Sequence, residues 1–159
     1  MSVQLASTEI AAKTAAIIAD LEGLEGPLLP ILHGVQEEFG FVPQDALPVI
    51  AKALNISNAE VHGVVTFYHD YRHAPAGRHV LRLCQAEACQ SMGSEAVAAK
   101  AKQLLGIDFH ETTKDGAVTL EPVYCLGLCA CAPSAMLDGE VIGRVDQEKL
   151  EEIAAEVRL

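Results

Sequence analysis

Apolar residues recur at helical spacing through the first half of the chain and change to alternation in the second. Over residues 8–22, Ile10, Ala11, Thr14, Ile17, Ile18 and Leu21 fall on one stripe, and Gly23 and Gly26 end it. Pro27 suits the opening position of a second helix, whose Leu28, Ile31, Leu32, Val35 and Phe39 share a face as far as Gly40. A third helix is expected over 44–54. A fourth begins at Ser57, where Ser57-Asn58-Ala59-Glu60 reads as a capping box: the hydroxyl takes an amide three residues on, and Glu60 reaches back. These segments predict a helical bundle over residues 1–75. It carries more apolar residues than so short a bundle needs, so Leu28, Leu29, Leu32, Val65, Phe67 and Tyr68 are the expected partner-docking surface.

Ala74-Pro75-Ala76-Gly77 breaks the pattern, and a second domain is expected over residues 76–159. His79 to Leu83 alternates as a strand, and Gly93 to Leu105 is an Ala-rich helix. Ala117 to Tyr124 is a further strand. Residues 135–137 and 141–144 form a hairpin around Asp138-Gly139, and a terminal helix over 146–157 is capped by Asp146. The order βαβββα describes an α/β sandwich, so the chain as a whole is α+β.

Composition narrows the partners. Aromatic residues are 4% and Trp is absent, so aliphatic side chains and Ala must pack the core. A net charge of −11 argues against nucleic acid and anionic membranes, both of which need a basic surface. The first twenty residues carry Glu9, Lys13 and Asp20 and read as an amphipathic helix rather than a leader. No apolar run reaches the roughly 20 residues that cross a bilayer. Five cysteines in such a chain fit a reducing compartment, and the expected location is cytoplasmic, without membrane insertion.

The cysteines carry the chemistry. Cys84 and Cys89 form a C-x4-C pair, Cys125 and Cys129 a C-x3-C pair, and each follows a strand directly. Strands fix the Cβ directions and short loops let the sulfurs converge, so the pattern suits a metal or cluster site. Scattered core cysteines do not explain two close pairs. Disulfides are disfavoured in a reducing compartment, and no C-x-x-C opens a helix as in a dithiol oxidoreductase. Structural zinc stays open as the alternative, although such sites usually staple domains that lack a core. A [2Fe–2S] cluster needs four thiolates and tolerates pairs from distant loops, which ranks it first. A metal site at His69, Asp70 and His73 is chemically possible, but surface residues are the expected reading. No G-x-G-x-x-G or P-loop occurs, and no catalytic triad or carboxylate pair stands out, so neither a nucleotide site nor catalysis is expected of this chain itself.

Taken together, Val61-His62-Gly63-Val64-Val65-Thr66-Phe67-Tyr68, the Cys84 to Cys89 loop and Cys125-Leu126-Gly127-Leu128-Cys129-Ala130-Cys131-Ala132-Pro133 resemble the thioredoxin-like [2Fe–2S] subunits of NADH-oxidising flavoprotein modules. These include the 24-kDa-type subunit of respiratory complex I and the diaphorase part of NAD-reducing hydrogenases. The loop Arg82 to Gly93, with Gln85-Ala86 after the first cysteine, is most similar to the gamma subunit of soluble NAD-dependent formate dehydrogenases. The resemblance implies a thioredoxin-like ferredoxin domain holding one [2Fe–2S] cluster on Cys84, Cys89, Cys125 and Cys129, with Cys131 outside the ligand set. It also implies a partner subunit carrying FMN, NAD and iron–sulfur centres, and a molybdenum- or tungsten-containing formate-oxidising subunit beyond it. The chain's role would be electron transfer, with NADH–quinone oxidoreductase or hydrogenase assemblies as the alternative setting. Gly127 is expected to let the backbone approach the cluster, and Pro133 to hold Ala132 extended. Glu87 lies between two of the cysteines and is expected to depress a cluster's potential, on the order of 50–90 mV at an effective dielectric near 20.

Overall fold

The computed structural model describes residues 6–21 and 23–157. The end of the first expected helix at residue 22 therefore lies outside the described residues. Two compact units emerge, Met1–Pro75 and Ala76–Leu159.

Among the described residues the first unit holds the helices α1 (Ser7–Leu21), α2 (Leu28–Phe39), α3 (Leu47–Leu54) and α4 (Asn58–Phe67). The expected helix over 44–54 is split. A 3₁₀ turn at Gln44–Ala46 precedes α3, and Pro48 falls in the first turn of α3, where it costs no hydrogen bond. Gly40 closes α2 at φ 77, donating its N–H to the Gln36 carbonyl. The apolar stripes meet in a core of Ile31, Leu32, Val35, Ile50, Val61 and Val65, with Ile10 and Tyr71 at its edge. Leu32 and Val65 are thus buried and belong to that core, not to a docking surface. Of the expected docking residues, Leu28 and Leu29 are half-buried, and Phe67 and Tyr68 are exposed and packed edge to face.

Ser57 and Glu60 complete the capping box. The Ser57 N–H donates to the Glu60 carboxylate at 2.8 Å, and the Glu60 N–H donates to Ser57 Oγ at 3.2 Å. The Ser57 N–H and hydroxyl together hold the Glu60 carboxyl below its ordinary range.

The second unit is a five-stranded sheet in the order β2-β3-β1-β4-β5, built from β1 (His79–Cys84), β2 (Glu111–Thr112), β3 (Val118–Val123), β4 (Ser134–Leu137) and β5 (Glu140–Gly143). Helices α6 (Ser94–Leu105) and α7 (Gln147–Glu156) pack beside each other. Their apolar faces share one core with Leu81, Leu83, Val118, Leu120 and Ala135 of the sheet. Asp146 caps α7 by accepting the Lys149 N–H at 2.8 Å. Two short elements have no clear signature in the sequence: α5 (Glu87–Ser91), inside the first cysteine loop, and β2, which pairs antiparallel with β3. Strands β1 and β3 run parallel, joined through α5, α6 and β2. Among the described residues no helix is long and apolar enough to cross a membrane.

Removing the cap tests the helical unit. Ser57→Ala should cost about 1 kcal/mol in urea denaturation followed by circular dichroism. Because the folded pKa of Glu60 is depressed, its contribution is complete above the ordinary glutamate range and is lost as pH falls through the depressed value. Glu60→Gln should therefore flatten the acid limb of the stability–pH curve.

Candidate metal centre

Register places the two cysteine pairs at one end of the sheet. Strand β1 pairs in parallel with β3 so that Cys84 stands opposite Val123, and the Gln85 N–H extends the ladder to the Val123 carbonyl at 2.8 Å. The chain then leaves both strands on the same side. After Cys84, extended Ala86 leads into α5, which holds Cys89 in its middle. Gln90 ties this loop down by donating from Nε2 to the Gln85 carbonyl at 2.7 Å. Cys84 and Cys89 keep only 2% and 1% of their surface exposed, so this pair sits in a dry pocket.

The second loop is built differently. Cys125 adopts φ 94, a left-handed backbone rare outside glycine, which turns the chain sharply as it leaves β3. Gly127 follows at φ 75 and donates its N–H to Cys125 Sγ at 3.3 Å. A 3₁₀ turn at Cys129–Cys131 brings Cys129 Sγ to 3.8 Å from Cys125 Sγ. A tetrahedral metal with thiolate bonds of about 2.3 Å sets its two sulfurs about 3.8 Å apart, so this pair has the spacing of two ligands on one metal atom. Cys125 and Cys129 are exposed, as is Tyr124 beside them at 75%.

The two loops act on each other electrostatically. The N–H dipoles of Cys125 and Leu126, from the second loop, favour the charged form of Cys84 in the first, as does the N–H of Ala86. Burial opposes ionisation of Cys84, but these three N–H groups and the Cys89 thiol outweigh it and bring its pKa below the usual thiol value. Cys129 is pushed the other way, first by its hydrogen bond and charge repulsion with Cys125, then by desolvation and by Cys89 and Cys84. Among the described residues no set of three or more His, Cys, Asp or Glu side chains is gathered around a single-ion position. His69, Asp70 and His73 are exposed and form no such set either.

Cys131 packs against the β4–β5 hairpin. Its carbonyl accepts the Arg144 N–H at 2.6 Å, and its Cβ lies against Gly143 of β5. A Cβ placed on Gly143 would come within 2.8 Å of Cys131 Cβ and 2.9 Å of Leu128 Cδ2. Gly143 is therefore what allows the second cysteine loop to lie flat on the hairpin, a role the sequence did not announce. Ala132 is extended at ψ 152, as a residue before proline should be, and the Ala132-Pro133 bond is cis. Glu87 is exposed at the start of α5.

A family model for thioredoxin-like [2Fe–2S] ferredoxins matches residues 14–158. The chain is 42% identical over 111 residues to a subunit of the NADH-quinone oxidoreductase of Pseudomonas aeruginosa, covering 70% of this chain and 67% of that one. It is 33% identical over 139 residues to the HndA subunit of the NADP-reducing hydrogenase of Solidesulfovibrio fructosivorans, covering 87% and 81%. An NAD+-reducing [NiFe]-hydrogenase crystal structure in the air-oxidised state superposes with a TM-score of 0.69 at 20% identity. That match covers 83% of this chain but 23% of the hydrogenase chain, so it speaks to the fold alone.

Two glycine substitutions separate strain from collision. A Cβ on Gly127 meets nothing within 4 Å, so Gly127→Ala should cost about 1–2 kcal/mol of backbone strain and no more. Gly143→Ala should cost more in thermal unfolding and should also impair metal incorporation, measured as iron per chain, because the loop carrying Cys129 must lift.

Proposed function

The chain belongs to the thioredoxin-like [2Fe–2S] ferredoxin family, and from that premise we propose that it is the electron-transfer subunit of an NADH-dehydrogenase-type module. Four ligands are proposed: Cys84, Cys89, Cys125 and Cys129. The observation that carries the assignment is the parallel register of β1 and β3, which sends both cysteine loops off the same end of the sheet. The 3.8 Å Cys125–Cys129 separation supports the pairing of ligands. A bound [2Fe–2S] cluster supplies one-electron storage and makes or breaks no substrate bond.

The protein's own residues shape that chemistry. The buried Cys84–Cys89 side excludes water, and the Gly127 N–H, 3.3 Å from Cys125 Sγ, aims its positive dipole at a sulfur that would carry negative charge. The exposed Cys125–Cys129 side gives the site an edge that a partner can approach. The proposed partner is a subunit that binds flavin and NAD, since the relatives named above belong to NADH- and NADP-linked oxidoreductases. Their names favour an NADH–quinone oxidoreductase or hydrogenase setting. The formate dehydrogenase reading, with its molybdenum- or tungsten-containing subunit, rests on Gln85-Ala86 in the first loop and is the second choice.

Anaerobically purified chain should be red-brown and give a rhombic one-electron EPR signal on dithionite reduction. Cys84→Ser or Cys125→Ser should abolish or grossly alter that signal, and Cys131→Ser should keep it. Colourless protein with stoichiometric zinc after iron-replete growth would overturn the reading. Co-expression with candidate flavin subunits and pull-down tests the partner. Solvent around Glu87 weakens its field relative to a buried carboxylate, so Glu87→Gln should raise the midpoint potential by about 20 mV or less at ordinary ionic strength.

A further inference from the structure

Ser134 opens β4 with 3% of its surface exposed, and its Oγ lies 3.5 Å from Cys89 Sγ. Its backbone is fixed by pairing with Gly143 of β5. The preceding Pro133 is fixed too, its carbonyl accepting the Val145 N–H at 2.9 Å. The hydroxyl therefore points into the dry side of the cysteine site, with no open route to solvent. Either partner can donate while Cys89 is a thiol. A metal-bound thiolate has no proton, so the hydroxyl must then be the donor.

We propose that Ser134 tunes the reduction potential of the site by donating its O–H to Cys89 Sγ, an inference that rests on the four-ligand reading above. Reduction brings in one electron from an external one-electron donor and no proton, and the Ser134 proton stays on Oγ throughout. The added negative charge strengthens the O–H···S bond, so Ser134 stabilises the reduced state more than the oxidised one and raises the potential. The Gly127 N–H that donates to Cys125 Sγ is a main-chain group, which substitution leaves in place. Ser134 is different, because one replacement removes the donor and leaves the backbone as it was. The residue acts through Cys89, as a positioning and tuning group, and takes no part in bond chemistry.

The test is a mediated dithionite titration of the full-length chain carrying its cluster, read by EPR. In Ser134→Ala the reduced-to-oxidised ratio at a fixed potential should fall roughly tenfold, which is ~59 mV for a one-electron couple. The Fe–S(Cys) resonance Raman bands should shift with it. Ser134→Thr and Ser134→Val form a matched pair that differs in hydroxyl against methyl, and Thr should lie above Val in potential. This pair decides the matter if Ser134→Ala does not hold its cluster. An unmoved potential in Ser134→Ala, or equal potentials for Thr and Val, would overturn the inference. Failure of the four-ligand reading looks different: the unaltered chain would give no rhombic signal, or Cys89→Ser would leave that signal unchanged.

Discussion

Parallel pairing of β1 with β3 is the constraint on which the rest of the second unit depends. Two strands that both end in cysteine loops can present those loops together only if they run in the same direction and end at the same level. The register does both, setting Cys84 opposite Val123 so that the loops leave side by side. Antiparallel pairing would send them to opposite ends of the sheet. A slip of one residue would exchange the buried Leu81 and Leu83 for Val80 and Arg82, a swap the core under α6 and α7 cannot accept. The parallel arrangement also demands a long crossover, and α6 supplies it while burying Val97, Ala98, Ala101 and Leu105. The core that stabilises the unit and the geometry that assembles the site are thus one interaction.

Within that frame the two loops do unlike jobs. The first is wound into α5 and keeps its sulfurs dry, close to the hydroxyl of Ser134. The second spends backbone strain at Cys125 and the freedom of Gly127 to make a tight, exposed turn. Gly143 lets this turn rest on the β4–β5 hairpin. An electron carrier needs both properties, since a dry interior sharpens the effect of each N–H and O–H dipole and an open edge shortens the path to a partner.

Much of the fold was legible in residue order. The capping box at Ser57 and Glu60, the terminal helix capped by Asp146 and the hairpin around Asp138-Gly139 each follow from local chemistry that does not need the rest of the chain. The site was legible as two cysteine pairs at strand ends, because spacing and flanking alternation are local too. Other elements were hidden for physical reasons. Five residues of α5 and two of β2 are too short to show a period. Leu32 and Val65 looked available for docking because apolar character alone does not say which face of a helix is covered.

Residue order alone was enough for the longer helices, for strands β1 and β3 and for the pattern break at Ala74-Pro75-Ala76-Gly77, since each depends on propensity, capping or pattern within a short window. The folding of the whole chain decided that the Cys84 and Cys125 loops would leave the same end of the sheet. It also decided that Gly143 would leave room for Cys131 and Leu128, and that Ser134 would stand against Cys89. Those contacts join residues far apart in the chain, and their existence depends on strand direction and register. Both are set by how the whole core closes, and no local stretch of sequence encodes that.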